Sequence, residues 1–175
     1  MRKSVTLGLM ALVLMVVLAG RSFAQELTTQ TCKEVATKAA ALIEAEGEAA
    51  FAKIKDPDGE FRFADGAGYV WIQTVDGIML MHPIKPSLDG RNLMQMQDDN
   101  GTYLFSAFGE IAEEHGSGWV PYVWPKPGAT VSSPKVSFVV LASHNGVDYV
   151  AGCGMYDVTA DDIKKEFPGD AVYES

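Results

Sequence analysis

Two dipeptides constrain this chain more than any other feature. Asp76-Gly77 separates the apolar runs Tyr69–Val75 and Ile78–His82, and Asn145-Gly146 separates Lys135–Ala142 from Val147–Tyr156. Asp-Gly and Asn-Gly adopt the left-handed backbone that a tight turn needs, so each predicts a β-hairpin. Hairpins join antiparallel neighbours, whereas a doubly wound parallel sheet needs a helical crossover between strands. A third run, Trp119–Trp124, precedes the second hairpin and ends at Pro125-Lys126-Pro127-Gly128. These three later runs predict an antiparallel meander.

Helical patterns flank the strands. Val35, Ala39, Leu42, Ile43, Ala50, Phe51 and Ile54 recur near a 3.6-residue period, which predicts one long helix from Thr28 to Lys55. Thr28 or Thr29 can cap it, and Asp56-Pro57-Asp58-Gly59 stops it. Glu60–Ala67 reads as an irregular link. Leu104, Phe105, Phe108 and Ile111 share one face of a short helix over Leu104–Glu114, ended by Gly116 and Gly118. Thr159 caps a last helix, Ala160–Phe167, with Asp161 and Asp162 in its positive first turn. The order α, β, β, α, β, β, β, α with no repeat and no low-complexity linker predicts one α+β domain, Glu26–Ser175.

Residues 1–24 read as an address. Arg2 and Lys3 precede an apolar run from Val5 to Ala19, and Ser22-Phe23-Ala24 is a small-x-small cleavage site, so cutting is expected after Ala24. Leu18-Ala19-Gly20 resembles the start of a lipoprotein signal, but Arg21 stands where that signal needs Cys, so no lipid anchor is expected. The prediction is an exported, periplasmic protein without a membrane anchor.

The 23 acidic residues all follow that segment, so the remainder is more acidic than the whole-chain net charge of −9. Such a surface repels nucleic acid and anionic lipid. Cys32 and Cys153 are the two cysteines. An oxidising compartment permits a disulfide, but the residues alone leave open whether they pair or are buried as two separate small hydrophobes.

No nucleophile elbow, P-loop, His-Glu-x-x-His or Rossmann glycine cluster is present in the sequence. His82, His115 and His144 are far apart, and no metal or cofactor is expected. Asp98-Asp99-Asn100-Gly101 lacks calcium-loop spacing and reads as a turn. The aromatic pairs carry more information. Tyr69 and Trp71 share one face of the first strand, and Tyr122 and Trp124 share one face of the third. Either they form an ordinary core, or they line a pocket. Lys135 opens an otherwise apolar strand, and a lysine is rarely buried without an anion. His82 ends the second strand. Lys, His and aromatic hydroxyls around a cavity suit a small carboxylate, with no activated nucleophile and no catalytic acid pair.

The ordered series Gly68-Tyr69-Val70-Trp71, Asp76-Gly77-Ile78-Met79-Leu80-Met81-His82-Pro83 and Leu88-Asp89-Gly90-Arg91-Asn92-Leu93 resembles the front of a bacterial single-Cache sensor domain of the second type. The likeness continues through Gly118-Trp119-Val120-Pro121-Tyr122-Val123-Trp124-Pro125, Pro134-Lys135-Val136-Ser137-Phe138 and Val150-Ala151-Gly152-Cys153-Gly154-Met155-Tyr156. The resemblance implies a PAS-like, five-stranded antiparallel sheet with a long N-terminal helix. It implies a sensory role in chemotaxis or related signal transduction and a small organic acid as ligand. Tyr69, Trp71, His82, Tyr122, Trp124 and Lys135 become the expected ligand-binding residues. It also implies that both chain ends leave on one side of the domain, which brings Cys32 and Cys153 into one region.

The departure is the expected lack of a membrane anchor and signalling domain. A free-standing form would act through a separate partner, such as a membrane sensor or chemoreceptor. Two other readings compete: a ligand-free accessory subunit whose pocket is filled by its own aromatics, and a small hydrolase using His82.

Overall fold

The computed structural model describes residues 25–174, so the expected signal peptide lies outside the described residues. Among the described residues there are four α-helices: α1 (Thr29–Glu46), α2 (Ala50–Lys55), α3 (Leu104–His115) and α4 (Ala160–Glu166). Six strands accompany them: β1 (Arg62–Phe63), β2 (Gly68–Thr74), β3 (Met79–Met81), β4 (Ser117–Pro125), β5 (Ser132–His144) and β6 (Val147–Tyr156). The sheet runs β1-β2-β6-β5-β4, and β3 also pairs with β2. Every strand pair is antiparallel. This is the expected α+β, PAS-like arrangement. The added strand, β1, fell inside the link read as irregular, because two residues carry no periodicity. No described helix is long and apolar enough to cross a membrane.

Alternation along the strands divides the core. Val70 and Ile72 of β2, Trp119 of β4, Val136 and Phe138 of β5, and Ala151 and Cys153 of β6 pack with α1. Their neighbours Tyr69, Trp71, Val120, Tyr122, Val139 and Val150 pack with α3 on the opposite face. Both aromatic pairs noted in the sequence therefore point toward α3, as the period of 2 requires.

The long helix is capped by Thr28, whose hydroxyl accepts from the Thr31 N–H at 3.0 Å. It does not run unbroken to Lys55. At Gly47 the backbone turns to φ 60°, and a short 3₁₀ segment leads into α2. The cause lies at the β5–β6 hairpin. The His144 ring packs where a Gly47 side chain would stand, and its Nδ1 donates to the Glu44 carbonyl at 2.8 Å. Periodicity cannot register a break imposed by a distant turn.

Both hairpins form. Asn145 and Gly146 each adopt positive φ, as a two-residue turn demands. At Asp76-Gly77 the loop has three residues instead. Thr74 and Ile78 close it, Gly77 alone is left-handed, and β3 carries one extra residue, Leu80, opposite the Ile72–Gln73 step of β2.

The outer edge of β4 is blocked. The Trp119 N–H donates to the Ala171 carbonyl, the Val123 N–H donates to Asp98, and Pro121 and Pro125 have no N–H. Such an edge resists pairing with another chain. Asp98 also accepts from the Asn100 and Thr102 N–H groups at 2.9 Å, so its carboxylate organises the expected turn.

Helix α3 approaches β2 closely because Gly109 has no side chain. A β-carbon there would overlap the Val75 carbonyl oxygen. Gly109→Ala is expected to lower stability by about 1–3 kcal/mol, because backbone must move to admit it. Urea unfolding of the two proteins checks this.

Candidate ligand-binding site

A narrow cleft with about 10 Å³ of free space lies between α3 and the sheet. All six residues singled out in the sequence line it: Tyr69 and Trp71 from β2, His82 beyond β3, Tyr122 and Trp124 from β4, and Lys135 from β5. Leu104, Phe105 and Phe108 of α3 close the other wall. Those three were read as one helical face in the sequence, but nothing in that pattern distinguished a cavity wall from plain core. The walls are packed ring against ring. Trp71 packs on Phe108 with ring centres 4.6 Å apart, and Phe108 meets Tyr122 edge-on at 5.3 Å. A buried amide fixes α3 over the cleft: Gln73 Nε2 donates to the Phe105 carbonyl at 2.9 Å.

Lys135 is 2% exposed. Its Nζ donates to the Tyr69 hydroxyl at 3.0 Å and lies 4.7 Å and 4.6 Å from the ring centres of Tyr69 and Tyr156. No carboxylate among the described residues forms an ion pair with it. Burial opposes its charge, but the phenol groups of Tyr122 and Tyr156 outweigh that and hold the ammonium above the ordinary lysine value. The site thus keeps a positive charge without a countercharge of its own. Space for that side chain comes from Gly154, where a β-carbon would crowd Lys135 and Ser137.

His82 is placed by its loop. Its backbone N–H donates to Asp89 at 2.8 Å. Pro83 has no N–H, and the next two residues fold back so that Ile84 N–H and Lys85 N–H donate to His82 Nδ1 at 3.2 and 3.0 Å. Nδ1 is therefore an acceptor, and the proton sits on Nε2. No carboxylate holds Nδ1 as the base of a catalytic triad would require. Burial, with the charges of Lys135 and Lys85 adding to it, pushes the imidazole down to about 3. At neutral pH His82 is an uncharged Nε2–H donor.

This has a measurable consequence. The unfolded imidazole takes up a proton near pH 6.5. The folded one does not until about 3. The unfolded state thus binds more protons in that window, and His82 makes the fold less stable as pH falls from 6.5 toward 3. NMR should show no titration of the His82 ring between pH 8 and 5. A midpoint near 6.5 would contradict the burial.

The tyrosine hydroxyls of the cleft stay protonated. Burial first raises the Tyr69 hydroxyl, to about 12, and also raises that of Tyr122, which hydrogen-bonds Ser137 Oγ at 2.8 Å. Lys85, missed in the sequence, stacks its Nζ 4.3 Å above the Trp124 ring. Burial and the charge of Lys135 lower its proton affinity. A lone lysine in a Pro-bounded loop gives no sequence signal of this placement. His115 lies half-exposed at the end of α3 beside Glu114, away from the cleft.

Comparison with known proteins fits this geometry. A family model described as a Cache domain matches residues 24–168. The methyl-accepting chemotaxis protein McpP of Pseudomonas putida is 35% identical over 103 residues, 59% of this chain and 18% of that protein. The sensor histidine kinase MctS of Rhizobium johnstonii is 30% identical over 89 residues, 51% of this chain and 19% of that protein. The chain thus spans less than a fifth of the length of these curated relatives. A solved periplasmic sensor domain of a chemotaxis protein shares 34% identity at a TM-score of 0.56, covering 74% of this chain and 90% of that one. A Cache chemosensory domain described in terms of carboxylic acid recognition shares 30% identity at a TM-score of 0.59, covering 74% and 88%. From the sheet order, the cleft and these matches together, the chain belongs to the Cache domain family.

Proposed function

We propose that this protein is an extracytoplasmic, non-enzymatic sensor module that binds a small organic acid and acts through a separate signalling partner. The observation that carries the reading is the cleft's polarity. Lys135 Nζ and the Nε2–H of His82 are donors, and no acidic residue lines the cleft. A carboxylate would supply the missing charge and acceptors, while the apolar walls would hold a short carbon chain. The roles of Tyr69, Trp71, His82, Tyr122, Trp124 and Lys135 as ligand contacts follow from this reading. So do a leader peptide cleaved after Ala24, one sensor domain over 26–175 and residence in the periplasm.

One observation favours a second reading. The cleft is narrow and walled by its own aromatics, as a ligand-free accessory subunit would have it. Thermal-shift measurements with acetate, propionate and ethylamine separate the two. The first reading predicts stabilisation by at least one carboxylate and none by the amine. No shift with either acid at saturating concentration supports the accessory subunit, and a shift with the amine alone overturns the anion site.

A further inference from the structure

The two cysteines, which the binding cleft does not use, meet across the interface between α1 and the sheet. Cys32 lies on the buried face of α1 with Val35, Ala36 and Ala39, and Cys153 lies in the middle of β6, opposite Val70 and Phe138. Both are completely buried, both belong to the same side of the core, and both are free thiols in the structure. They share one layer of the core between α1 and β6, and Cys153 together with burial raises the Cys32 thiol. We infer that Cys32 and Cys153 form a disulfide that pins α1 to the central strand β6.

The position of the bond gives it consequence. On β6, Cys153 points toward α1 while its neighbours point the other way. Gly152 leaves space for the Trp71 ring, and Gly154 leaves space for Lys135 and Ser137. The bond therefore anchors the strand segment directly behind the cleft. It also closes a loop of roughly 120 residues, which removes many conformations from the unfolded chain.

The chemistry is thiol–disulfide exchange with a disulfide oxidant. One cysteine thiolate attacks the oxidant, releasing one reduced thiol into solution. The second cysteine then attacks the mixed disulfide and releases the other. Two protons and two electrons leave the protein, and the oxidant is reduced to two thiols. Because both sulfurs are buried once α1 docks, closure belongs to folding and not to the finished fold. In the cell the inference rests on the proposed periplasmic location. The pairing itself is tested without reference to location or ligand.

The reduced, unfolded protein is refolded in a mixture of oxidised and reduced glutathione, then unfolded in acid and treated with an alkylating agent. The expected product is two hydrogens lighter than the reduced chain and takes up no label. Its melting temperature should exceed that of protein refolded in excess reductant by roughly 10–20 °C. Two alkylated cysteines, glutathione retained on either sulfur, or equal melting temperatures would overturn the inference.

Discussion

Replacement of Lys135 by methionine is expected to weaken binding of the best short carboxylate by about ten- to a hundredfold while the fold survives. The figure follows from the loss of one charge-assisted hydrogen bond, worth roughly 1.5–3 kcal/mol. Methionine matches the lysine stem and fills the space that Gly154 leaves. It also removes a buried charge that has no carboxylate partner among the described residues. The fold holds the ammonium above its ordinary value and bonds it to Tyr69, so a modest loss of stability is expected with the fold retained. Calorimetric titration and urea unfolding of the same preparation test both halves. Unchanged affinity would remove Lys135 from the site. A large loss of stability would make its role structural.

Trp119→Ala is expected to do the reverse, costing about 3–5 kcal/mol of stability with no selective effect on the ligand. Trp119 is fully buried, and it alternates with Val120 and Tyr122 so that it faces away from the cleft. Its ring stacks on Phe167 at 5.3 Å and packs against Phe138 at 4.9 Å. Its Nε1 donates to Asp170 at 2.9 Å, and Asp170 also accepts from Lys33 of α1 at 2.7 Å. Truncation would open a cavity and leave that carboxylate with one partner fewer. Tyr122→Ala, three residues along the same strand, should instead abolish ligand-induced stabilisation. Melting curves with and without propionate distinguish the two positions. Equal loss of ligand response in both variants would show that alternation along β4 does not separate core from cleft.

The contrast between these tryptophans and tyrosines shows what the sequence could convey. Period-2 spacing placed Tyr69 with Trp71 and Tyr122 with Trp124, and the strands carry each pair on one face. The two hairpin dipeptides located the turns, because positive φ is a demand made by local backbone alone. Non-local effects were illegible. The break at Gly47 arises from His144, almost a hundred residues later, and β1 exists because Gly68 leaves room for the Phe63 ring. The protonation of His82 depends on two backbone N–H groups that reach it only after the loop folds. Lys85 acquires its place beside Trp124 in the same way. The pocket residues were recognisable by type. Their convergence with α3 required the fold.

A structure of the protein with propionate bound tests the central claim most directly. The account predicts the carboxylate inside the cleft, with its oxygens about 3 Å from Lys135 Nζ and His82 Nε2, and its carbon chain against Trp71 and Phe108. A carboxylate bound elsewhere on the molecule, or a cleft that stays empty at saturating propionate while another small molecule stabilises the protein, would contradict it.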